Sequence, residues 1–278
     1  MKLTAVLVLY QMKIEDCVTF QTLKKHLVDN SLGLGEVEVI IYDNSPVEQK
    51  VVTPLNNSGF VVSYVHDSKN LGIATAYNYA LECARKNNSE WLLLLDHDTE
   101  LTADYIHKIK RLDVEQSVVA VVPKINCNHV MISPVYSHSL RPLAEERPNV
   151  GIQTRPVMAI NSGALIRVSF LNGINGFNEE FPLDYLDHWL FNEIYLRGQF
   201  VLVVDVSLEH ELSVMDYNQV SLKRYQSILN SEFHYYKNYK KDLYKAFKQQ
   251  LQKRLLKQVV LVKNKKIALY TLRRLFSA

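Results

Sequence analysis

A chain of 278 residues, 47% of them hydrophobic and 10% aromatic, can close a full core and is not a disordered polymer. Its apolar runs fall well short of the roughly 18 residues of a membrane span, and the amino terminus lacks a cleavable leader pattern. Cys17, Cys83 and Cys127 share no C-x-x-C spacing, which argues against a zinc knuckle or a disulfide framework and makes the cytoplasm the expected location.

The net charge of +3 conceals a division: residues 221–278 hold 15 Lys and Arg against 2 Asp and Glu, whereas residues 1–220 hold 17 against 27. Such a basic segment attracts polyanions, either nucleic acid or an anionic lipid surface. We therefore divide the chain into a body, 1–220, and a basic amphipathic helical region, 221–278.

Residues 3–10 and 37–42 read as buried strands, and residues 17–30 between them carry Val18, Leu23 and Leu27 at helical spacing. Another strand is predicted over 61–65, an Ala-rich helix over 73–86, and a strand over 91–95 after the turn Asn87-Asn88-Ser89. This alternation predicts a parallel sheet, and continuous apolar strands predict burial on both faces. Ligands of such sheets gather beyond the strands' carboxyl ends. The residues there are Tyr10-Gln11, Asp43-Asn44-Ser45, 67–70 and Asp96-His97-Asp98.

Residues 126–156 are rich in Pro, Ser and Asn without a sustained period, and read as a loop beside the site. A strand over 157–168, a polar segment over 172–189 and a strand over 200–206 follow. Beyond Ser221, Leu243, Phe247, Leu251, Leu255, Val259 and Val262 fall on one helical face, with most lysines off it.

Asp96 and Asp98, separated by one residue after an apolar strand, offer hard oxygen ligands suited to Mg²⁺ or Mn²⁺, which can bridge to a diphosphate. The same residues also suit a solvated turn before a helix capped by Thr102. Asn70-Leu71-Gly72-Ile73-Ala74-Thr75-Ala76-Tyr77-Asn78 opens a helix with small residues where a ligand can come close. A second acidic cluster lies at Asp184-Tyr185-Leu186-Asp187, where Asp184 also suits a helix cap.

These pieces, with Val8-Leu9-Tyr10, Asn161-Ser162-Gly163-Ala164-Leu165-Ile166 and Gly176-Phe177-Asn178-Glu179, resemble the inverting nucleotide-diphospho-sugar glycosyltransferases of family two. The resemblance runs from Leu3 to about His210 and is nearest to bacterial rhamnosyltransferases that use dTDP-L-rhamnose. It implies an α/β GT-A fold, a mostly parallel nucleotide-binding sheet flanked by helices, with the basic helical region as an extension. By the same resemblance Leu9, Tyr10, Asp43 and Asn44 would border the base, and Asn70, Gly72 and Asn78 would lie near the ribose and diphosphate. Asp96 and His97 would meet the ribose side, while Asp98 and His210 would hold the metal. Asp187 would be the catalytic base, with Ser162, Gly163, Asp184 and Trp189 on the acceptor side.

The sequence departs from the family pattern at Leu212-Ser213, where a Gly is usual, and at Asn192, where an Arg is usual. Lys237-Asn238 stands for a later Arg-Asn pair, and Lys237 would act on the donor as a point charge without the bidentate fork of Arg. The implied donor is dTDP-L-rhamnose, with a UDP-sugar as the alternative, and the implied acceptor is a glycan or lipid-linked glycan of a bacterial envelope.

For the basic region two readings stand together: contact with an anionic membrane surface on the inner face of the cytoplasmic membrane, or packing on the catalytic body. Tyr235, Tyr236, Tyr239 and Tyr244 among lysines also suit stacking on nucleobases, but nucleic acid is not the expected partner. A nucleotidyltransferase ranks lower still, because no glycine-rich loop followed by Arg and Lys lies near the amino terminus.

Overall fold

Leu3–Leu9 forms β1, and every residue in it is buried. Successive strand side chains point to opposite faces, so Leu3, Ala5, Leu7 and Leu9 enter one apolar cluster while Val6 and Val8 enter another. A strand covered on both sides needs apolar residues at every position, which is why no polar alternation marks it. The structure is a computed structural model and describes residues 2–29, 37–50, 60–140, 142–144, 146–210 and 220–276.

Helix α1 (Val18–Asp29), β2 (Val37–Asp43), β3 (Phe60–His66), α2 (Ile73–Lys86) and β4 (Trp91–Leu95) complete the amino-terminal half. The strands run parallel in the order β3-β2-β1-β4. In α1 the buried stripe is Phe20, Leu23 and Leu27, while Val18, expected on it, is exposed.

The second half is mixed. It contains β5 (Thr99–Glu100), α3 (Ala103–Lys110), β6 (Val118–Cys127), β7 (Val130–Ser133), β8 (Val135–Tyr136), β9 (Gly151–Gln153), β10 (Val157–Met158), β11 (Ala164–Arg167), α4 (Val168–Gly173), α5 (Leu186–Leu196) and β12 (Phe200–His210). The sheet continues β4-β11-β6-β12-β5, with β11 antiparallel to both β4 and β6, and β6 parallel to β12.

Two sequence expectations change here. The stretch 126–156 is not a plain loop: β7 folds back on β6, β9 pairs with β12, and β8 pairs with β10. Strands this short carry no readable period. The single strand expected over 157–168 is two strands, separated by a turn in which Gly163 adopts φ 80°. Thr102 does cap α3, accepting the Tyr105 amide at 3.2 Å.

Helices α6 (Leu222–Asn238), α7 (Tyr244–Leu261) and α8 (Lys265–Phe276) follow. Tyr225, Leu229, Phe233, Phe247, Leu251 and Val262 belong to the same apolar cluster as Val6 and Val8 of the sheet. The helical face expected to meet a bilayer is therefore largely spent inside the protein: Phe247, Leu251 and Val262 are buried, and Val259 alone of that set is classed as exposed. Among the described residues no helix is long and apolar enough to cross a membrane.

Candidate active site

The turn Asp96-His97-Asp98 leaves β4 and enters β5, where Thr99 pairs with His210 and Glu100 with Glu209 of β12. That register sets His210 Nδ1 3.2 Å from Asp98 Oδ1, and the same nitrogen lies 3.1 Å from Thr99 Oγ1. The start of α1 holds the turn from the other side. Thr19 Oγ1 donates to the Thr99 carbonyl at 2.8 Å and accepts the Thr99 amide at 2.9 Å, and Cys17 Sγ donates to the His97 carbonyl at 3.3 Å. Burial pushes the Cys17 thiol up to about 11, so it acts as a packed donor and not as a nucleophile.

The two carboxylates of the turn have opposite electrostatic settings. Burial raises Asp96 above the ordinary carboxylate range, although its Oδ2 accepts the Ser162 hydroxyl at 2.6 Å. Burial also acts to raise Asp98, but the neighbouring His210 outweighs it and holds Asp98 below its ordinary value. Asp98 is thus the more readily ionised carboxylate of the turn. Its Oδ1 is buried, and the 3.2 Å approach of His210 Nδ1 is its one polar neighbour among the contacts described.

No three His, Cys, Asp or Glu side chains form a metal cluster among the described residues. Asp98 and His210 nevertheless fit a partial coordination shell, because Mg²⁺ commonly takes one or two protein ligands and completes itself with phosphate oxygens and water. The unsatisfied Asp98 oxygen is the feature that fits.

Across from the turn stands Tyr77 of α2. Its side chain is buried and its hydroxyl lacks a hydrogen-bond partner. Burial drives its ionisation far up, and the Asp96 and Asp187 carboxylates add to that effect, with the Asn161 side chain alongside. One hydroxyl therefore senses both acidic clusters that the sequence singled out. Asp187 lies in the first turn of α5, after Tyr185 in a left-handed conformation at φ 68°. Its Oδ1 accepts the His188 amide at 2.8 Å.

Among the described residues eight buried side-chain polar atoms lack a partner, and Asn44 Oδ1, Tyr77 Oη, Asp98 Oδ1 and Asn161 Oδ1 make up half of them. Asn44 follows β2, Asp98 follows β4, Asn161 precedes β11, and Tyr77 faces the β4 turn. An unmade buried hydrogen bond costs about 1–3 kcal/mol. The grouping of these atoms at the carboxyl edge of the sheet, where ligands of such sheets gather, makes this edge the candidate site.

The sequence pattern of Glycosyl transferase family 2 matches residues 19–174, more than half of the chain. The chain belongs to that family. The matched stretch includes Asp43, Asn70, Asp96, Asp98 and Ser162, and ends before Asp187 and His210. The structure superposes on S. aureus TarS 1-349 with a TM-score of 0.55 at 14% identity, covering 100% of this chain and 88% of that one. TarS 1-349 in complex with UDP-GlcNAc gives 0.55 at 11% identity, covering 100% and 81%. Identity this low speaks for the fold alone, which is the GT-A arrangement of a central sheet flanked by helices. An uncharacterized protein of Haemophilus influenzae is 35% identical over 72 residues, a stretch spanning 24% of this chain and 37% of that protein.

Several residues expected to touch the donor or acceptor also make contacts within the protein. Asn78 spends its amide on the Phe177 backbone, donating to the carbonyl at 2.9 Å and accepting the amide at 2.8 Å. Leu9 is wholly within the core. Asp43 is buried, its Oδ1 accepting the Ser45 amide at 2.9 Å and its Oδ2 accepting Gln49 Nε2 and the Tyr64 hydroxyl, both at 2.8 Å. Gly163 packs against Leu208 and Pro123, and Trp189 lies in the core. Asp184 Oδ2 accepts Arg224 Nη1 at 2.6 Å and the Ser227 hydroxyl at 2.9 Å, which ties α6 to the segment before α5. Ser162 serves Asp96 directly.

Lys237 lines a cleft of about 700 Å³ with Glu180, Pro182, His234 and Arg274, and none of Asp96, Asp98 or Asp187 lines it. Asn192 is buried with its amide nitrogen unpaired, and Leu212-Ser213 lies outside the described residues. Tyr10 and Asn70 are exposed beyond the ends of β1 and β3, Asn70 at φ 47°. Tyr77 and Thr19 carried no signal of their own, since an aromatic or a Thr in an amphipathic helix reads as packing.

Gly72 also lies against the protein itself. It adopts φ 100°, and a Cβ there would lie 2.1 Å from the Pro182 carbonyl oxygen, which also accepts the Ala74 amide at 3.3 Å. The close approach is made by the protein's own backbone. Gly72→Ala should cost roughly 2 kcal/mol in thermal or urea unfolding, whereas Gly173→Ala, with nothing within 4 Å of the new methyl, should be neutral or slightly stabilising.

Proposed function

We propose that this chain transfers one sugar, L-rhamnose from dTDP-L-rhamnose, with inversion onto a hydroxyl of a glycan or lipid-linked acceptor in bacterial cell-surface polysaccharide synthesis. The observation that carries the reading is the wholly buried Tyr77 hydroxyl, whose ionisation is opposed by burial and by both the Asp96 and Asp187 carboxylates. It supports a donor-side acid pair and an acceptor-side carboxylate serving one substrate pair.

In this reading Asp187 accepts the proton of the acceptor hydroxyl. The freed oxygen forms a bond to the anomeric carbon as the bond from that carbon to the diphosphate oxygen breaks, and the nucleoside diphosphate leaves with the electron pair. Asp98 and His210 would hold Mg²⁺ or Mn²⁺, which when bound neutralises charge on the departing diphosphate. Ser162 orients Asp96 toward the nucleotide, and Tyr77 walls the space between the two acidic clusters.

A UDP-sugar is the second reading for the donor, favoured by the shared fold of TarS, which was crystallised with UDP-GlcNAc. The deciding experiment is a thermal-shift screen of nucleotide sugars with and without Mn²⁺. A preferred donor at a hundredfold excess over its Kd should add about 2.7 kcal/mol of stability. Asp98→Ala should abolish the Mn²⁺-dependent part of that gain; an undiminished gain in this variant would remove Asp98 from the metal role.

A further inference from the structure

From residue 243 onward the chain holds ten Lys and Arg and no Asp or Glu. The buried stripe of α7 follows Phe247, Leu251 and Gln258 into Val262, which leaves another stripe outward. On it Leu256 is 69% exposed and Val260 76%; Leu261, beside that stripe at the end of α7, is 68% exposed, and on α8 Leu269 and Phe276 are 47% and 85% exposed. Lys253, Lys257, Lys263, Lys265 and Lys266 are exposed among them.

The two helices are locked in register by a closed ring of buried hydrogen bonds. Gln258 Nε2 donates to the Tyr225 hydroxyl at 2.8 Å, Tyr225 to Thr271 Oγ1 at 2.6 Å, and Thr271 to Gln258 Oε1 at 2.8 Å. Gln258 and Thr271 therefore sit side by side, which fixes late α7 against α8.

We propose that this α7–α8 face docks the enzyme on an anionic lipid bilayer. Branched aliphatic side chains protruding among lysines match the boundary between acyl chains and charged headgroups, where apolar groups insert and each nearby cation adds attraction. A nucleic acid would be met by aromatic platforms, and Phe276 is the one aromatic residue among these protruding side chains. A second copy of the chain would bring its own uncompensated cations against these. The placement of the acceptor on that bilayer rests on the proposed function; the docking itself does not.

The test is cosedimentation of the full chain with vesicles of phosphatidylcholine alone or mixed equally with phosphatidylglycerol, followed by light scattering of the protein in solution. The wild type should bind the anionic vesicles and leave the neutral ones. Val260→Asp with Leu261→Asp, and separately Lys257→Glu with Lys263→Glu, should each weaken partition at least about tenfold. Because these side chains are exposed, the melting temperature and donor-dependent stabilisation should stay at wild-type values. Failure of the wild type to bind, or equal binding by the aspartate variant, would overturn the proposal. So would a dimer in solution that the aspartate variant breaks while vesicle binding persists, since that outcome assigns the face to a second copy. Vesicle binding needs no donor, so a failed donor screen leaves this result readable.

Discussion

Asp187→Asn is expected to lower kcat by about two to four orders of magnitude while leaving donor affinity unchanged. The substitution is isosteric, and its side-chain oxygen can still accept the His188 amide that Asp187 now accepts at 2.8 Å. The first turn of α5 therefore keeps its geometry, and what disappears is the ability to take a proton. In the proposed reading the donor is held at Asp96 and Asp98, so nucleotide-dependent stabilisation should survive. The check is a steady-state assay of transfer beside a thermal shift with donor. If the variant raises KM and spares kcat, Asp187 binds the acceptor without moving its proton, and the base must be sought elsewhere.

Much of this arrangement was legible in the residues. Strands β1, β2 and β4 declared themselves because burial on both faces demands unbroken apolar runs, and the carboxyl-edge rule then pointed to Asn44, Asp96 and Asp98 without any structure. The mixed half of the sheet was hidden. Strands such as β8 and β10 are two residues each, below the length at which alternation can be seen.

Three of the motif residues have one feature in common. Asn78, Gly72 and Asp184 stand in motif positions that suit a ligand, and each is claimed by a partner distant in sequence: Phe177, Pro182 and Arg224. A small residue or a carboxylate announces that something comes close or that charge is needed. It does not announce whether the other party is substrate or protein. Tyr77 shows the reverse, since only its burial near the Asp96 and Asp187 carboxylates distinguishes it from ordinary core.

The second large effect is expected far from the chemistry, at Arg254. Glu232 of α6 is buried, and Arg254 of α7 forks both of its oxygens, Nη1 to Oε2 at 2.6 Å and Nη2 to Oε1 at 2.8 Å. Arg254→Leu would leave that carboxylate without its counter-charge, at a cost of about 3–5 kcal/mol in urea unfolding. Adding Glu232→Leu should restore most of the loss, because an apolar pair of similar volume removes the desolvated charge altogether. A single-variant cost below about 1 kcal/mol would mean that the pair behaves as a solvated surface bridge.

The consequence reaches the active site through rings. Tyr235 of α6 lies 5.6 Å from both Tyr185 and His188, centroid to centroid, and these two residues flank the turn that carries Asp187. The Asp187 charge in turn contributes to raising the Tyr235 hydroxyl, after burial. Helix α6 thus packs against the turn that carries Asp187 and is also part of the basic region. Loosening it at Arg254 should lower kcat at temperatures where the sheet is still folded, whereas the doubly substituted protein should recover both stability and turnover.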